Sequence, residues 1–316
     1  MPGEFDIIRE YFAGAARRPD VVIGIGDDAA CVTTGDTSLA VCVDALVAGV
    51  HFPHETPARA IGHRALAVNL SDLAACGATP LWVTLALAMP RADRRWLADF
   101  SAGFFELAAA HDVALIGGDT VRGPLQVTVQ AIGRYDGSPV TRTGGRPGDD
   151  VYVSGTVGDA SGGLRHIARD NPRHPLGERF HFPIPRVALG QALAAWATAC
   201  IDVSDGLAVD LERMARSSGG GAVLELDRLP MSSMLRESFG DDEALYLALN
   251  GGDDYELCFC VDASRREDFR VFCDARDFNV TRIGHLDDGD ALVLMSDGAV
   301  VSRPLAGFDH FADGHE

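Results

Sequence analysis

Aspartate residues placed beside glycine, serine or the end of a predicted strand are the residues of this chain best suited to chemistry. They lie in the segments GIGDDAA, VCVDALVAGVHF, NLSDLAACGATP, LIGGDT and IDVSDGL, and the candidates are Asp28, Asp44, Asp72, Asp119 and Asp202. Mg²⁺ prefers oxygen ligands and is usually held by one or two carboxylates together with phosphate and water. Dispersed carboxylates on short stems could therefore clamp a polyphosphate through several metal ions. Any one of them could instead be a turn or helix-cap residue, but that explanation is weak for all five.

The charge of the chain narrows what it can bind. The formal net charge of −19 disfavours nucleic acid and anionic lipid as partners. All 27 basic residues are arginine. The absence of lysine excludes a P-loop NTPase, a protein kinase and Schiff-base chemistry, because each of these needs a lysine. If the chain binds a nucleotide, arginine and divalent cations must neutralise the phosphates.

The sequence also indicates the compartment. No segment approaches the ~20 uninterrupted apolar residues of a membrane span, and the first residues, MPGEFDIIREYF, contain no apolar signal-peptide core. Seven cysteines without a C-x-x-C pair argue against a disulfide framework or a zinc ribbon. We expect a cytoplasmic protein with no membrane partner. His51 and His54 leave zinc as a weaker alternative, since no third ligand follows at a suitable spacing.

A helix ending near Gly77 is predicted to position Asp72. Apolar residues from Ile61 to Leu73 recur at helical spacing, Gly77 supplies a left-handed stop, and Pro80 follows just beyond it. Asp72 is the single carboxylate within this otherwise apolar helix, where a carboxylate needs a cation or several donors.

Predicted strands place the other aspartates at strand ends. The strand predicted over 21–26 ends in the turn Gly26-Asp27-Asp28, and the strand over 38–43 is followed by Asp44. The strand over 113–116 is followed by Gly117-Gly118-Asp119, and the strand ending at 201 is followed by Asp202. A long amphipathic helix is predicted over 91–110, and a loop over 171–185, which contains four prolines. Strands and helices mix without strict alternation, so we expect an α+β fold. The Gly- and Pro-rich segment 137–150 predicts a domain boundary, giving domains 1–137 and 138–316.

Nine segments together resemble the thiamine-monophosphate kinase family, which is related to aminoimidazole ribonucleotide synthetase. They are GEF, GIGDDAA, VDALVAGVHF, ALAVNLSDLAACGATP, LIGGDT, RTGGRPGD, IDVSDGL, NGGDDYELCF and GFDHF. The resemblance runs nearly end to end. It implies ATP-dependent phosphorylation of thiamine phosphate to thiamine diphosphate with several Mg²⁺ ions, the last step of thiamine diphosphate biosynthesis. It also implies a homodimer built through the N-terminal halves, with an α/β layer structure in each half.

The resemblance further implies a role for individual residues, without an acid, base or nucleophile beyond the metal ligands. The implied metal ligands are Asp28, Asp44, Asp72, Asp119, Asp202 and Asp205. The implied ATP contacts are Gly118, Asp119, Arg142 and Ser204, and the implied acceptor contacts are His51, Asp253 and Phe308.

The chain departs from the family at a few of these positions. Cys42 and Val43 stand where the family often has Ser-Thr, so a metal contact there would have to use main-chain oxygen. Asp253 and Phe308 stand where Glu and Tyr are frequent. Two alternatives remain: a sister ATP-dependent synthase acting on another small molecule, and a cation-binding regulatory or scaffold protein without turnover.

Overall fold

The computed structural model describes residues 3–13, 18–169, 171 and 173–308. Its first half forms a six-stranded sheet in the order β1-β2-β3-β6-β4-β5, in which only β4 and β5 pair in parallel. The strands are β1 Val21–Ile23, β2 Ala30–Thr34, β3 Thr37–Val47, β4 Thr79–Met89, β5 Ala114–Arg122 and β6 Gln126–Arg134. The helices of this half are α1 Glu4–Ile7, continued by a π-helical turn Ile8–Phe12, then α2 Ala58–Ala75 and α3 Arg94–Ala110.

The second half forms a seven-stranded sheet in the order β13-β12-β9-β11-β7-β10-β8, in which only β9 and β12 pair in parallel. The strands are β7 Asp150–Ser154, β8 Ala197–Asp202, β9 Gly221–Glu225, β10 Leu257–Val261, β11 Val280–Asp287, β12 Leu292–Ser296 and β13 Ala299–Val301. The helices are α4 Asp159–Ala168, α5 Leu176–His181, α6 Val187–Leu193, α7 Leu207–Ser217, α8 Ser233–Phe239, α9 Asp241–Asn250 and α10 Arg266–Asp274, with short 3₁₀ turns at Leu226–Arg228 and Ala263–Arg265.

Helix α2 is the element that joins the two halves. Its sequence is rich in alanine and leucine, which favour helix. Most of its residues are buried, because it packs against β3, β6 and α3 of the first half and against α6 and β8 of the second. Cys76 caps the helix, and Gly77 follows with a φ of 71°, a conformation that favours glycine. The predicted helix and its stop are confirmed.

The α+β fold is confirmed, and three local predictions are corrected. Asp44 and Asp119 do not lie at strand ends, since β3 and β5 continue past them. The segment 171–185 is not entirely a loop, because α5 forms within it. The predicted boundary at 137/138 falls between the last strand of the first sheet and the first strand of the second, and it remains a prediction. Within the described ranges, no helix is both long and apolar enough to cross a membrane.

Candidate functional site

Three of the predicted aspartates converge between the two sheets. Asp28, Asp72 and Asp202 each offer a carboxylate oxygen, and these oxygens all lie within 4.8 Å of one another. Asp28 follows the turn at Gly26, whose φ is 117°. Asp72 projects from the last turns of α2, and Asp202 is the final residue of β8. The cluster therefore combines three separate segments from both halves of the chain.

The electrostatics of this triad show that side chains alone do not satisfy it. Burial raises the pKa of Asp72 well above its usual range, and the neighbouring carboxylates raise it further. Burial and the charge of Asp28 raise the pKa of Asp202 in the same way, although Ser71 Oγ donates to Asp202 Oδ2 at 2.7 Å. Arg142 is the cation that opposes these shifts.

One oxygen of the triad is buried and left without a donor. Arg142 donates from Nη2 and Nε to Asp28 Oδ1 at 2.6 and 3.2 Å. Asp28 Oδ2 is buried, and no described group donates a hydrogen bond to it. A buried acceptor without a partner is unfavourable unless a cation occupies the space beside it. Three carboxylates, one of which has a buried oxygen without a donor, fit a divalent cation such as Mg²⁺.

Asp44 and Asp205 lie next to the triad. Burial raises the pKa of Asp44 to about 6, and the charges of Asp205 and Asp28 contribute to the rise. The Asp44 backbone N–H donates to Asn69 Oδ1, which fixes β3 against α2. Arg213 donates to the carboxylate of Asp205. These two acids are placed to extend the carboxylate cluster beyond its centre.

The loop that carries Ser204 and Asp205 is held by a residue that sequence reasoning missed. Asp210 Oδ2 accepts hydrogen bonds from the backbone N–H groups of Ser204, Asp205 and Gly206 at 3.0 to 3.2 Å. Burial raises the pKa of Asp210 to about 7, with a further contribution from Asp205. The available signal was an aspartate in the first turn of a helix that follows a glycine turn, a position where the helix dipole favours a carboxylate.

Two of the predicted acceptor residues are tied to the same loop. The backbone N–H of Asp253 donates to the Ser204 carbonyl at 2.8 Å, and that of Phe308 donates to the Asp205 carbonyl at 3.2 Å. His51 lies in the other half, in the turn after β3, where its Nδ1 accepts from the Val47 backbone N–H at 2.9 Å. His51 and His54 are not members of the aspartate triad.

Other residues predicted to belong to the site do not lie in the triad. Gly118 and Asp119 lie on β5, at the edge of the first sheet, and are exposed. The Val43 side chain is 59% exposed, whereas the neighbouring Cys42 is buried with its Sγ donating to the Asn69 carbonyl on α2. Because side chains alternate along a strand, Val43 faces away from α2 and from the triad. The roles predicted for these residues remain predictions.

The chain matches a family of known domains over most of its length. Residues 26–135 match the AIR synthase related protein N-terminal domain, and residues 146–297 match the corresponding C-terminal domain. The chain is 42% identical to the thiamine-monophosphate kinase of Escherichia coli (strain K12), over 98% of each chain. It is 33% identical to the thiamine-monophosphate kinase of Bacillus subtilis (strain 168), over 98% of this chain and 99% of that one.

Solved structures agree with these matches. The thiamine-monophosphate kinase of Stenotrophomonas maltophilia K279a is 46% identical with a TM-score of 0.80, covering 90% of this chain and 93% of that one. AaThiL complexed with AMPPCP and TMP is 28% identical with a TM-score of 0.83, covering 98% and 97%. The resemblance and the two-domain fold predicted from the sequence are confirmed: the chain belongs to the thiamine-monophosphate kinase family of AIR synthase related proteins.

Proposed function

We propose that this chain is a thiamine-phosphate kinase, which transfers the γ-phosphoryl group of ATP to thiamine phosphate and releases thiamine diphosphate and ADP. The observation that carries the proposal is the convergence of Asp28, Asp72 and Asp202 around an unpartnered buried oxygen, in a chain 42% identical to thiamine-monophosphate kinases. The related AaThiL was solved with AMPPCP and TMP, an ATP analogue and the acceptor. The reaction is the final step of thiamine diphosphate biosynthesis.

Mg²⁺ is the implied metal, and the triad would hold it. Bound there, the ions would neutralise phosphate charge, which a chain without lysine must obtain from cations and arginine. Arg142 engages Asp28 Oδ1, which leaves Oδ2 as the buried oxygen that a cation could contact. Asp210 holds the backbone of the Ser204–Asp205 loop in place. Phosphoryl transfer mainly requires such positioning and charge neutralisation, and we assign no side chain as a covalent or acid–base catalyst.

The remaining residues keep the roles proposed for them from the sequence. The further metal contacts are Asp44, Asp119 and Asp205, with Cys42 and Val43 as candidates through main-chain oxygen. The ATP contacts are Gly118, Asp119, Arg142 and Ser204, and the acceptor contacts are His51, Asp253 and Phe308. Asp253 and Phe308 support this grouping, since both bond to the loop that carries Ser204 and Asp205.

The proposal includes a cytoplasmic homodimer formed through the N-terminal half. The support for the dimer is the first sheet, where the large apolar side chains of Val43, Trp82, Ile116 and Val121 are exposed. Exposed apolar surface of this kind commonly marks an interface between proteins. The requirement for ATP supports the cytoplasm.

A substrate panel tests the function. The full chain is incubated with ATP, Mg²⁺ and a series of phosphorylated metabolites, and ADP and products are quantified. Consumption of thiamine phosphate with equimolar formation of thiamine diphosphate and ADP is expected. Turnover of a different metabolite alone would identify a sister synthase, and metal binding without any turnover would identify a non-catalytic protein. Either of these results would overturn the proposal.

A further inference from the structure

Arg64 is a fully buried arginine at the junction of the two halves. It lies on α2, and its side chain has 0% exposure. Its guanidinium donates from Nη1 to the Phe180 carbonyl and from Nη2 to Asp253 Oδ1, at 2.5 Å for the latter. The guanidinium carbon also lies 4.2 Å from the centroid of the Phe180 ring. A buried charge needs such partners, because its removal from water is unfavourable.

Arg64 shares its helix with the metal cluster. Ser71 follows seven residues later, about two helical turns away and on the same face. Ser71 holds Asp202 while Arg64 holds Asp253, so one face of α2 contacts two functional segments of the second half. Sequence reasoning missed Arg64, because its partner lies 189 residues away in the chain.

The carboxylate of Asp253 is engaged on one oxygen only. Oδ1 accepts from Arg64 and from the Tyr255 hydroxyl, the latter at 3.2 Å. Oδ2 receives no hydrogen bond from any side chain or N–H group that the structure describes. The side chain is 26% exposed and Oδ2 is not among the buried atoms without a partner, so Oδ2 is accessible to a ligand.

The backbone around Asp253 is fixed as well. Asp253 and Tyr255 have φ values of 70° and 50°, which residues other than glycine adopt at a conformational cost. Their N–H groups donate to the carbonyls of Ser204 and Val203, both at 2.8 Å. Strain of this kind persists only where surrounding contacts determine the conformation, and it concentrates at functional sites.

Tyr255, which donates to Asp253, lies within electrostatic range of the carboxylate cluster. Burial raises the pKa of the Tyr255 hydroxyl well above its ordinary value, and the charges of Asp44 and Asp202 add to the rise. The hydroxyl therefore stays protonated and remains a donor to Asp253. The Asp253 N–H donates to the carbonyl of Ser204, two residues after Asp202, which ties the Asp253 segment to the loop that follows the triad.

We infer that Arg64 is a positioning residue for the acceptor site, which holds the Asp253 carboxylate so that Oδ2 accepts a hydrogen bond from the exocyclic amine of thiamine phosphate. The inference rests on the proposed function. That amine is the N–H donor which the organic part of this substrate offers. Arg64 keeps the Asp253 carboxylate oriented without touching the substrate itself.

The test separates this role from simple stabilisation. The steady-state KM values for thiamine phosphate and for ATP are measured for the wild type, Arg64→Met, Tyr255→Phe and Asp253→Ala. The set also includes both double variants with Asp253→Ala. Arg59→Met is the matched control, since Arg59 lies on the same helix but is half-exposed and paired with Glu106. Oxythiamine phosphate, with an oxo group in place of the amine, serves as a second acceptor.

Arg64→Met is expected to raise the KM for thiamine phosphate roughly 10- to 100-fold while the KM for ATP changes less than about 2-fold. In the Asp253→Ala background the same substitution should add almost nothing, because its target is gone. The preference of the wild type for thiamine phosphate over oxythiamine phosphate should also decrease in Arg64→Met. Arg59→Met should match the wild type in every measurement.

Several results would overturn the inference. Equal increases in both KM values, a full effect of Arg64→Met in the Asp253→Ala background, or an unchanged preference between the two acceptors would each do so. If Arg64→Met does not fold, Tyr255→Phe is the deciding variant, because it removes only one hydroxyl. The inference then requires Tyr255→Phe to raise the KM for thiamine phosphate when Asp253 is present and not in the Asp253→Ala background. A wild type that does not consume thiamine phosphate overturns the proposed function, and the inference with it. An active wild type with unaltered variants overturns the inference alone.

Discussion

Two groups of buried carboxylates in this molecule differ in how their charge is balanced. In the second sheet, Asp150 is 1% exposed and receives hydrogen bonds from Arg266 and Arg282 at 2.6 to 2.7 Å. Burial raises the pKa of Asp150, but these two arginines hold it below its usual range. Between the sheets, burial and neighbouring acids raise the pKa values of Asp72 and Asp202 well above theirs.

The contrast separates structural acids from functional ones. Glu256 belongs with Asp150, since its carboxylate receives Arg179, Arg186 and Ser154. Side chains of this chain balance the charge of these two carboxylates, so no ligand is needed to do so. The triad has one arginine for three carboxylates and an oxygen without a donor. In a chain with 27 arginines, this arrangement supports the proposal that a cation from solution binds at the triad.

The largest expected effect is on turnover when the triad is altered. Asp72→Asn should fold normally, because the amide has the same shape, but should lose on the order of 10³-fold or more in kcat, since bound metals supply several kcal/mol of charge stabilisation. Steady-state kinetics at saturating Mg²⁺ measures the loss of kcat. Asp136→Asn is the control, because that carboxylate is 93% exposed. Near-wild-type turnover in folded Asp72→Asn would remove the distinction between the two groups.

The matching change in the arginine-bound group should affect stability instead. Asp150→Asn leaves Arg266 and Arg282 without their carboxylate and should lower the free energy of unfolding by about 3 kcal/mol, the low end for buried pairs because Arg266 is half-exposed. Urea denaturation of Mg²⁺-free protein measures the loss. The kcat of the remaining folded enzyme should be unchanged. A large loss of kcat with full stability would show that Asp150 is not a structural acid.

The pH dependence of stability should separate the groups in the metal-free protein. Asp44 has a pKa of about 6 in the folded chain and an ordinary value of 3.8. The folded state therefore binds its proton more tightly, and stability is lost as pH rises from about 4 to 6. Asp44→Asn removes this loss, so its melting temperature relative to the wild type should be higher at pH 7.5 than at pH 4.5, by about 2–4 °C. Calorimetry in EDTA measures it, and a constant difference would contradict the raised pKa.

The sequence predicted the members of the triad better than their surroundings. Asp28 follows a glycine turn, Asp72 lies in a helix with an apolar stripe, and Asp202 ends an apolar strand. All three features are local signals in the sequence. Asp119 was expected after a strand because Gly117-Gly118 resembles a turn, but pairing with β4 extends β5 through both glycines.

The partners of Asp253 and the helix α5 depend on contacts that are distant in sequence. Helix α5 forms in a segment that contains several prolines. Its Arg179 donates to Glu256, and its Phe180 carbonyl accepts from Arg64. No local pattern encodes such contacts, because their partners lie far apart in the chain. The Arg64–Asp253 pair shows the same limit.

The smallest expected effect concerns Cys42 and Val43, which stand where the family often has Ser-Thr. Burial raises the pKa of the Cys42 thiol well above its usual value, with Asp72 adding to the rise, so the thiol is neutral and a poor partner for Mg²⁺. Its side chain nevertheless faces α2, while that of Val43 faces away. Cys42→Ser should therefore lower the free Mg²⁺ concentration at half-maximal activity by roughly 2- to 3-fold, with little change in the KM for ATP, since a hydroxyl is a harder donor. Val43→Thr is the matched control and should leave the midpoint unchanged. A midpoint that falls with Val43→Thr instead would place a metal on the other face of the sheet, beyond the triad.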